Sequence, residues 1–156
     1  MKNTRFMVQA AVIAAVYITL SLAFAPLSSG LFQLRFAEAL TILPALTPAA
    51  IPGLFVGCIL TNLLVGNGPI DIIFGSLATL AAAYLSFRLR GNKWLVPMPP
   101  VIVNAVVVGL MLNYLGIAPF LVAMAWVAAG QFVACYVIGY PLLTILGRYK
   151  DKIFNL

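Results

Sequence analysis

The stretch LPALTPAAIP, Leu43 to Pro52, places Pro44, Pro48 and Pro52 between two apolar runs. Hydropathy alone would fuse those runs into one bent span. Prolines remove backbone donors and disfavour helix in the residue before them, so the run divides in two. The pieces read as helices over about 36–46 and 49–65. That division sets the parity of the whole chain. Lys2 and Arg5 open the sequence, and Arg88, Arg90 and Lys93 form a second basic cluster. Basic patches between apolar runs mark cytoplasmic segments, so an even number of spans separates these two. Four fit; two would need spans of unusual length.

Working outward, a first helix over about 5–25 runs into Pro26, and PLSSG (Pro26–Gly30) makes the first loop. GNGP (Gly66–Pro69) is a strong turn signal. A helix over about 70–89 leads to the basic loop RLRGNKW (Arg88–Trp94). Helices over about 99–115 and 120–146 flank the turn Gly116–Pro119 and return the chain to Arg148, Lys150 and Lys152. The expectation is an all-α integral membrane protein. It forms a single domain over 1–156, a bundle of six transmembrane helices with both termini cytoplasmic.

Composition requires the membrane. Of 156 residues, 64% are hydrophobic and 8% charged, and the mean hydropathy is +1.13. A soluble domain carries about 25% charged residues, and a small one still exposes much of its surface. The formal charge of +6 lies in three short patches, which fits loop charges and not a nucleic-acid surface. Cys58 and Cys135 fall inside apolar runs and there is no histidine, so the thiols read as small hydrophobes and no metal is expected. Ala23-Phe24-Ala25 imitates a signal-peptidase site, but Pro26 follows it and the apolar run is too long for a signal. The first helix is expected to stay. No nucleophile–base set and no phosphate-binding loop occurs, so neither catalysis nor an ATPase of its own is expected, and no cofactor.

The polar residues that remain are informative because each is costly in a bilayer. QLRFAEAL (Gln33–Leu40) spaces Arg35 and Glu38 three apart. By parity, both lie at the outer depth that Asp71 also occupies at the start of its helix. A charge deep in a helix costs roughly 2.5–3.5 kcal/mol to insert, which makes it a candidate for function. Two plainer readings stay open: Arg35 and Glu38 neutralise each other at helical spacing, and Asp71 caps a helix dipole. Among the buried amides, Asn62 reads as a helix–helix contact. Asn104, Asn113 and Gln131 fit binding or packing. Trp126, Tyr114 and Phe36 fit stacking on a flat ligand or interface anchoring. On the first helix, Ala10 with Ala14 and Ala11 with Ala15 make two overlapping small-xxx-small pairs, suited to close packing inside the bundle or against another subunit.

Four blocks in order, QLRFAEALTILP (33–44), TPAAIPGLFVGCILTNLL (47–64), IDIIFGSLATL (70–80) and PMPPVIVNAVVVGL (97–110), resemble the queuosine-precursor transporter family. Its members are substrate-binding S components of bacterial energy-coupling factor (ECF) transporters. The resemblance covers most of the chain. It implies a six-helix S-component bundle in the cytoplasmic membrane that captures a deazaguanine base or queuine on the outer face. It implies as partners one transmembrane coupling subunit and two ATPase subunits, docked through the alanine strip of the first helix. It departs at Gln131, where members often carry an acid. A guanine-like edge offers an amine donor and a carbonyl acceptor; Glu38 or Asp71 suits the first and Arg35 or an amide the second.

The topology has a direct test. Asn67→Cys, in the GNGP turn, should react with an impermeant thiol reagent added outside intact cells, and labelling only from inside would overturn the six-span order.

Overall fold

The computed structural model describes residues 2–28 and 35–154. Ser29 and Gly30 of the first loop, and Gln33 and Leu34 of QLRFAEAL, lie outside the described residues. Within them the chain is helical throughout, with no strand. α1 is Lys2–Ala23 and α2 Ala25–Ser28; a 3-10 helix follows over Phe36–Ala45. α3 is Ala50–Val65. A π-helical turn, Asp71–Gly75, leads directly into α4, Ser76–Arg88. α5 is Met98–Tyr114 and α6 Phe120–Phe132. A π segment, Val133–Gly139, joins α6 to α7, Tyr140–Arg148, and α8 is Lys150–Ile153.

The segment expected as a second α-helix is a 3-10 helix instead, and it forms the middle of the molecule. Ala37 through Pro44 are all buried, packed with Ile13 and Tyr17 of α1, Leu54 and Cys58 of α3, Ala83 of α4 and Leu143 of α7. Pro44 sits inside it, where it has no backbone N–H to donate to either an α or a 3-10 ladder. Tighter turns at about 2.0 Å per residue also stretch ten residues further than an α-helix would. The last helix departs from a uniform rod for a related reason. Pro141 in the first turn of α7 has no N–H to return to the preceding turn, and the helix widens into π geometry just before it.

Two helices, Asn3–Ala23 and the continuous Phe120–Arg148, are long and apolar enough to cross a membrane; Phe36–Ala45, Ala50–Val65 and Met98–Tyr114 are shorter apolar helices. At about 1.5 Å per residue, sixteen residues of α3 span roughly 24 Å, less than the roughly 30 Å hydrocarbon core.

Close contacts between small residues set the spacing of α1 and α3. A Cβ added at Gly53 would meet the Ala10 carbonyl oxygen at 2.7 Å, and one at Gly57 would lie 3.3 Å from the Ala14 Cα. The Ala10/Ala14 pair is thus used inside the bundle, against a matching glycine pair. Ala11 and Ala15, one residue round the helix, are exposed. Of the four alanines expected to face a partner, the first pair is corrected to an internal contact.

Left-handed glycines finish the hairpins at one end. Gly66 (φ 78°) caps α3 and Gly116 (φ 71°) turns the chain towards α6. At the other end Gln9 joins three segments: it accepts from the Thr47 hydroxyl at 3.0 Å and donates to the Phe154 carbonyl at 2.9 Å. The basic loop is held there by Ser86, which donates to Val96 O at 2.8 Å, and by Trp94, stacked on Tyr140 with centroids 4.6 Å apart. α1, α4 and the α6–α7 rod all run from the cavity end described below to this basic end.

Gly53→Ala should lower stability by about 1–3 kcal/mol, the usual cost of overpacking, because the obstructing atom is backbone. Gly91→Ala, with open space around it, should not. Thermal unfolding of the two purified variants in detergent separates them.

Candidate ligand-binding site

The site is built on one buried amide. Asn62, fully buried in the last turn of α3, accepts through Oδ1 from Arg35 Nη2 at 3.1 Å and from Asn67 Nδ2 at 2.9 Å. Its Nδ2 donates to the backbone carbonyl of Asp71 at 3.1 Å. Three segments meet there: the entry to the 3-10 helix, the turn after α3, and the π turn before α4. The Gly66 cap folds the chain back so that Asn67 N–H also bonds Asn62 O, at 2.9 Å.

These residues border a cavity of about 230 Å³ at the Gly66 and Gly116 end of the bundle. Its polar wall includes Ser21, Arg35, Thr61, Asn67 and Asp71; α5 adds the apolar side chains of Val108, Met111 and Leu112. Thr61 is 6% exposed, and its hydroxyl has no hydrogen-bond partner among the described residues. A helical threonine ordinarily bonds back to the turn before it, as Thr79 does to Gly75 O at 3.1 Å.

Behind the cavity the polar groups bond to one another. Glu38 is 0% exposed. Its Oε1 accepts from the Tyr17 hydroxyl at 2.7 Å and its Oε2 from Asn104 Nδ2 at 3.3 Å. Its carbonyl accepts from the Thr41 hydroxyl at 2.6 Å and from the Cys135 thiol at 3.6 Å, and that thiol lies 3.7 Å from Gln131 Oε1. A buried carboxylate is tolerated only when hydrogen-bonded in this way.

Arg35 and Glu38 therefore bond to different partners: the guanidinium turns to Asn62 at the cavity and the carboxylate turns inward to Tyr17 and Asn104. The seven candidate residues separate accordingly. Arg35 and Asp71 line the cavity. Glu38, Asn104 and Gln131 are buried behind it. Asn113 is corrected to the exposed surface, where it donates to Ala118 O at 3.4 Å in the turn before α6. Trp126 is 38% exposed on α6 and is not among the cavity's lining residues.

Sequence reasoning passed over Thr61, Asn67 and Tyr17, and read Asn62 as a plain packing contact. Tyr17 did carry a signal: it follows Ala10 and Ala14 at helical spacing, on the face that meets α3. For Asn62 the five-residue step to Asn67 across a glycine cap was the available signal.

The sequence model described as the QueT transporter matches residues 7–148. The chain belongs to the QueT transporter family. Neither a curated protein nor a solved structure matches it. Membership of a transporter family, together with two helices long and apolar enough to cross a membrane, makes this a membrane transport protein. In a transporter, a polar cavity walled on one side by apolar α5 is a natural place to hold a small solute.

Tyr17→Phe removes one oxygen and leaves Glu38 with a single side-chain donor. Hydrogen bonds to charged groups contribute about 1.5–3 kcal/mol, and a loss of that size is expected in unfolding in mild detergent. Thr19→Val, whose exposed hydroxyl bonds only its own helix at Ala15 O, should leave stability unchanged.

Proposed function

We propose that this chain is the substrate-binding S component of an energy-coupling factor importer. It captures a queuosine precursor, a deazaguanine base or queuine, in the cavity beside Arg35 and Asp71. The observation that carries this reading is the cavity itself, whose polar side chains hang on Asn62 in a chain of the QueT transporter family. A guanine-like edge presents paired N–H donors and a carbonyl. Asp71 suits the donors, the remaining N–H groups of Arg35 suit the carbonyl, and the α5 side chains suit the flat face. Pockets for drug-sized ligands measure roughly 300–1,000 Å³; a bicyclic base is smaller than such ligands, in keeping with this smaller cavity.

Orientation follows from charge. All the cations except Arg35 lie on the N-terminal part of α1, the Arg88–Lys93 loop and the C-terminal segment, at the end away from the cavity. With basic segments cytoplasmic, the cavity faces outward and both termini lie inside. The short central helices then complete a six-segment, multi-pass bundle in the bacterial cytoplasmic membrane. Energy comes from a transmembrane coupling subunit and two ATPase subunits. The docking face is the exposed side of α1, where Ala11 and Ala15 leave a shallow strip beside Val8 and Val12.

Ala11→Leu with Ala15→Leu should abolish uptake in cells that supply the partner subunits. Ligand binding to the purified variant should stay within a few-fold of the wild type, because both side chains lie outside the bundle. Unchanged uptake would remove the docking role. Uptake by the isolated chain in liposomes without any ATPase would replace the importer with a facilitator.

A further inference from the structure

Met111 of α5 borders two separate spaces. One is the polar cavity beside Asn62. The other is an apolar groove of about 530 Å³ between α5 and the π turn, formed with Ile70, Phe74, Val107, Leu110 and Tyr114. Among the described residues, none but Met111 borders both. Phe74 and Leu110 are half exposed, so the groove opens on the lateral surface of the bundle, whereas Met111 is 6% exposed. Helix geometry explains the division. At about 100° per residue, Val107, Leu110 and Tyr114 fall within about 60° of arc on one side of Met111, and Val108, Leu112 and Leu115 within about 60° on the other. The π turn divides likewise, with Asp71 at the cavity and Ile70 and Phe74 at the groove.

The backbones on the two sides of this seam are anchored away from it. Gly109 lies about 160° round α5 from Met111, so close to α6 that an added Cβ would stand 3.1 Å from the Met124 Cα. Across the seam, the Asp71 carbonyl is held by Asn62 Nδ2 at 3.1 Å. Neither α5 nor the π turn is therefore free to close the gap by moving. What fills it is an unbranched, flexible thioether, the kind of side chain that packs irregular spaces and adjusts to substitution. Shortening that one side chain joins the polar cavity to the apolar groove.

Resting on the reading that this cavity captures a deazaguanine-type base, we propose that Met111 is a specificity-determining residue. It closes the cavity against the groove and so sets the size limit of the solute. A bare bicyclic base fits with Met111 in place. A base with a bulky apolar arm on its five-membered ring, away from the edge that Asp71 and Arg35 face, has no room for the arm beside the thioether, because forcing extra atoms into a packed wall is unfavourable. With Met111 shortened, the arm passes into a space of matching chemistry.

The experiment is equilibrium binding to the full chain in detergent. The probes are deazaguanine and two derivatives that carry a benzyl group, one on a carbon and one on the nitrogen of the five-membered ring. Met111→Ala should bind the parent base within a few-fold of the wild type. For at least one derivative, its affinity relative to the parent should rise by at least about tenfold over the wild-type ratio, the scale on which apolar pockets discriminate single methylene groups. Leu110→Ala, which enlarges the groove and leaves Met111 in place, should keep the wild-type ratio. A smaller rise for both derivatives, or an equal rise in Leu110→Ala, overturns the role of Met111 and leaves the proposed function standing. If Met111→Ala does not bind the parent, Met111→Val is read by the same criterion. Loss of parent binding in both variants makes Met111 a packing residue and overturns the assignment. Failure of the wild type to bind the parent base overturns the proposed function and the role of Met111 together.

Discussion

A carboxylate at the centre of an apolar helical bundle is the constraint around which this molecule is arranged. Glu38 lies on a 3-10 helix whose residues from Ala37 to Pro44 are buried, and both of its oxygens are engaged by side chains from other helices. Left without donors, such a group costs several kcal/mol, so Tyr17 of α1 and Asn104 of α5 must reach it together. Their meeting fixes the rotation of α1 and the depth of α5 relative to the central helix. Removing one partner of a buried charge is far more damaging than never having had the pair, which ties these three residues to one another.

The rotation of α1 in turn decides what that helix offers to its surroundings. With Tyr17 pointing at Glu38, Ala10 and Ala14 fall against Gly53 and Gly57, and at Gly53 the backbones approach to a distance that tolerates no added carbon. The neighbouring stripe, Ala11 and Ala15, then faces outward. Close backbone packing is the main way apolar helices associate in lipid, where no hydrophobic difference drives them together. The same helix can hold the bundle on one stripe and present small residues on the next.

Asn62 plays for the cavity the part that Glu38 plays for the core. One amide has two acceptor lone pairs and two donor hydrogens. Here it joins Arg35, Asn67 and the backbone of Asp71, which come from three separate segments. The polar wall is therefore positioned by hydrogen bonds behind it, while the Thr61 hydroxyl at its surface has no hydrogen-bond partner among the described residues. The groups that hold the wall in place and the groups that face the cavity are different members of one polar cluster.

Much of this was legible in the sequence because its physical basis is local. Apolar runs, prolines, glycine turns and basic patches state helix, break and end without reference to any distant residue. From them follow the all-helical membrane class, the break at Pro44–Pro52, and the shared end of Arg35 and Asp71. The sequence could also state that Arg35 and Glu38 are costly in lipid, and hence that something must satisfy them. It could not state what. Spacing of three suggested that they satisfy each other, yet in a 3-10 helix with Asn62 on one side and Tyr17 with Asn104 on the other they do not. Helical periodicity likewise defined two alanine stripes about 100° apart without saying which faces inward. Hydrogen-bond partners and helix rotations are set by segments 21 to 97 residues away in the chain. Such contacts exist only once the bundle has closed, so the tertiary structure alone decided that Glu38 lies sealed behind the cavity while Asp71 and Thr61 line it.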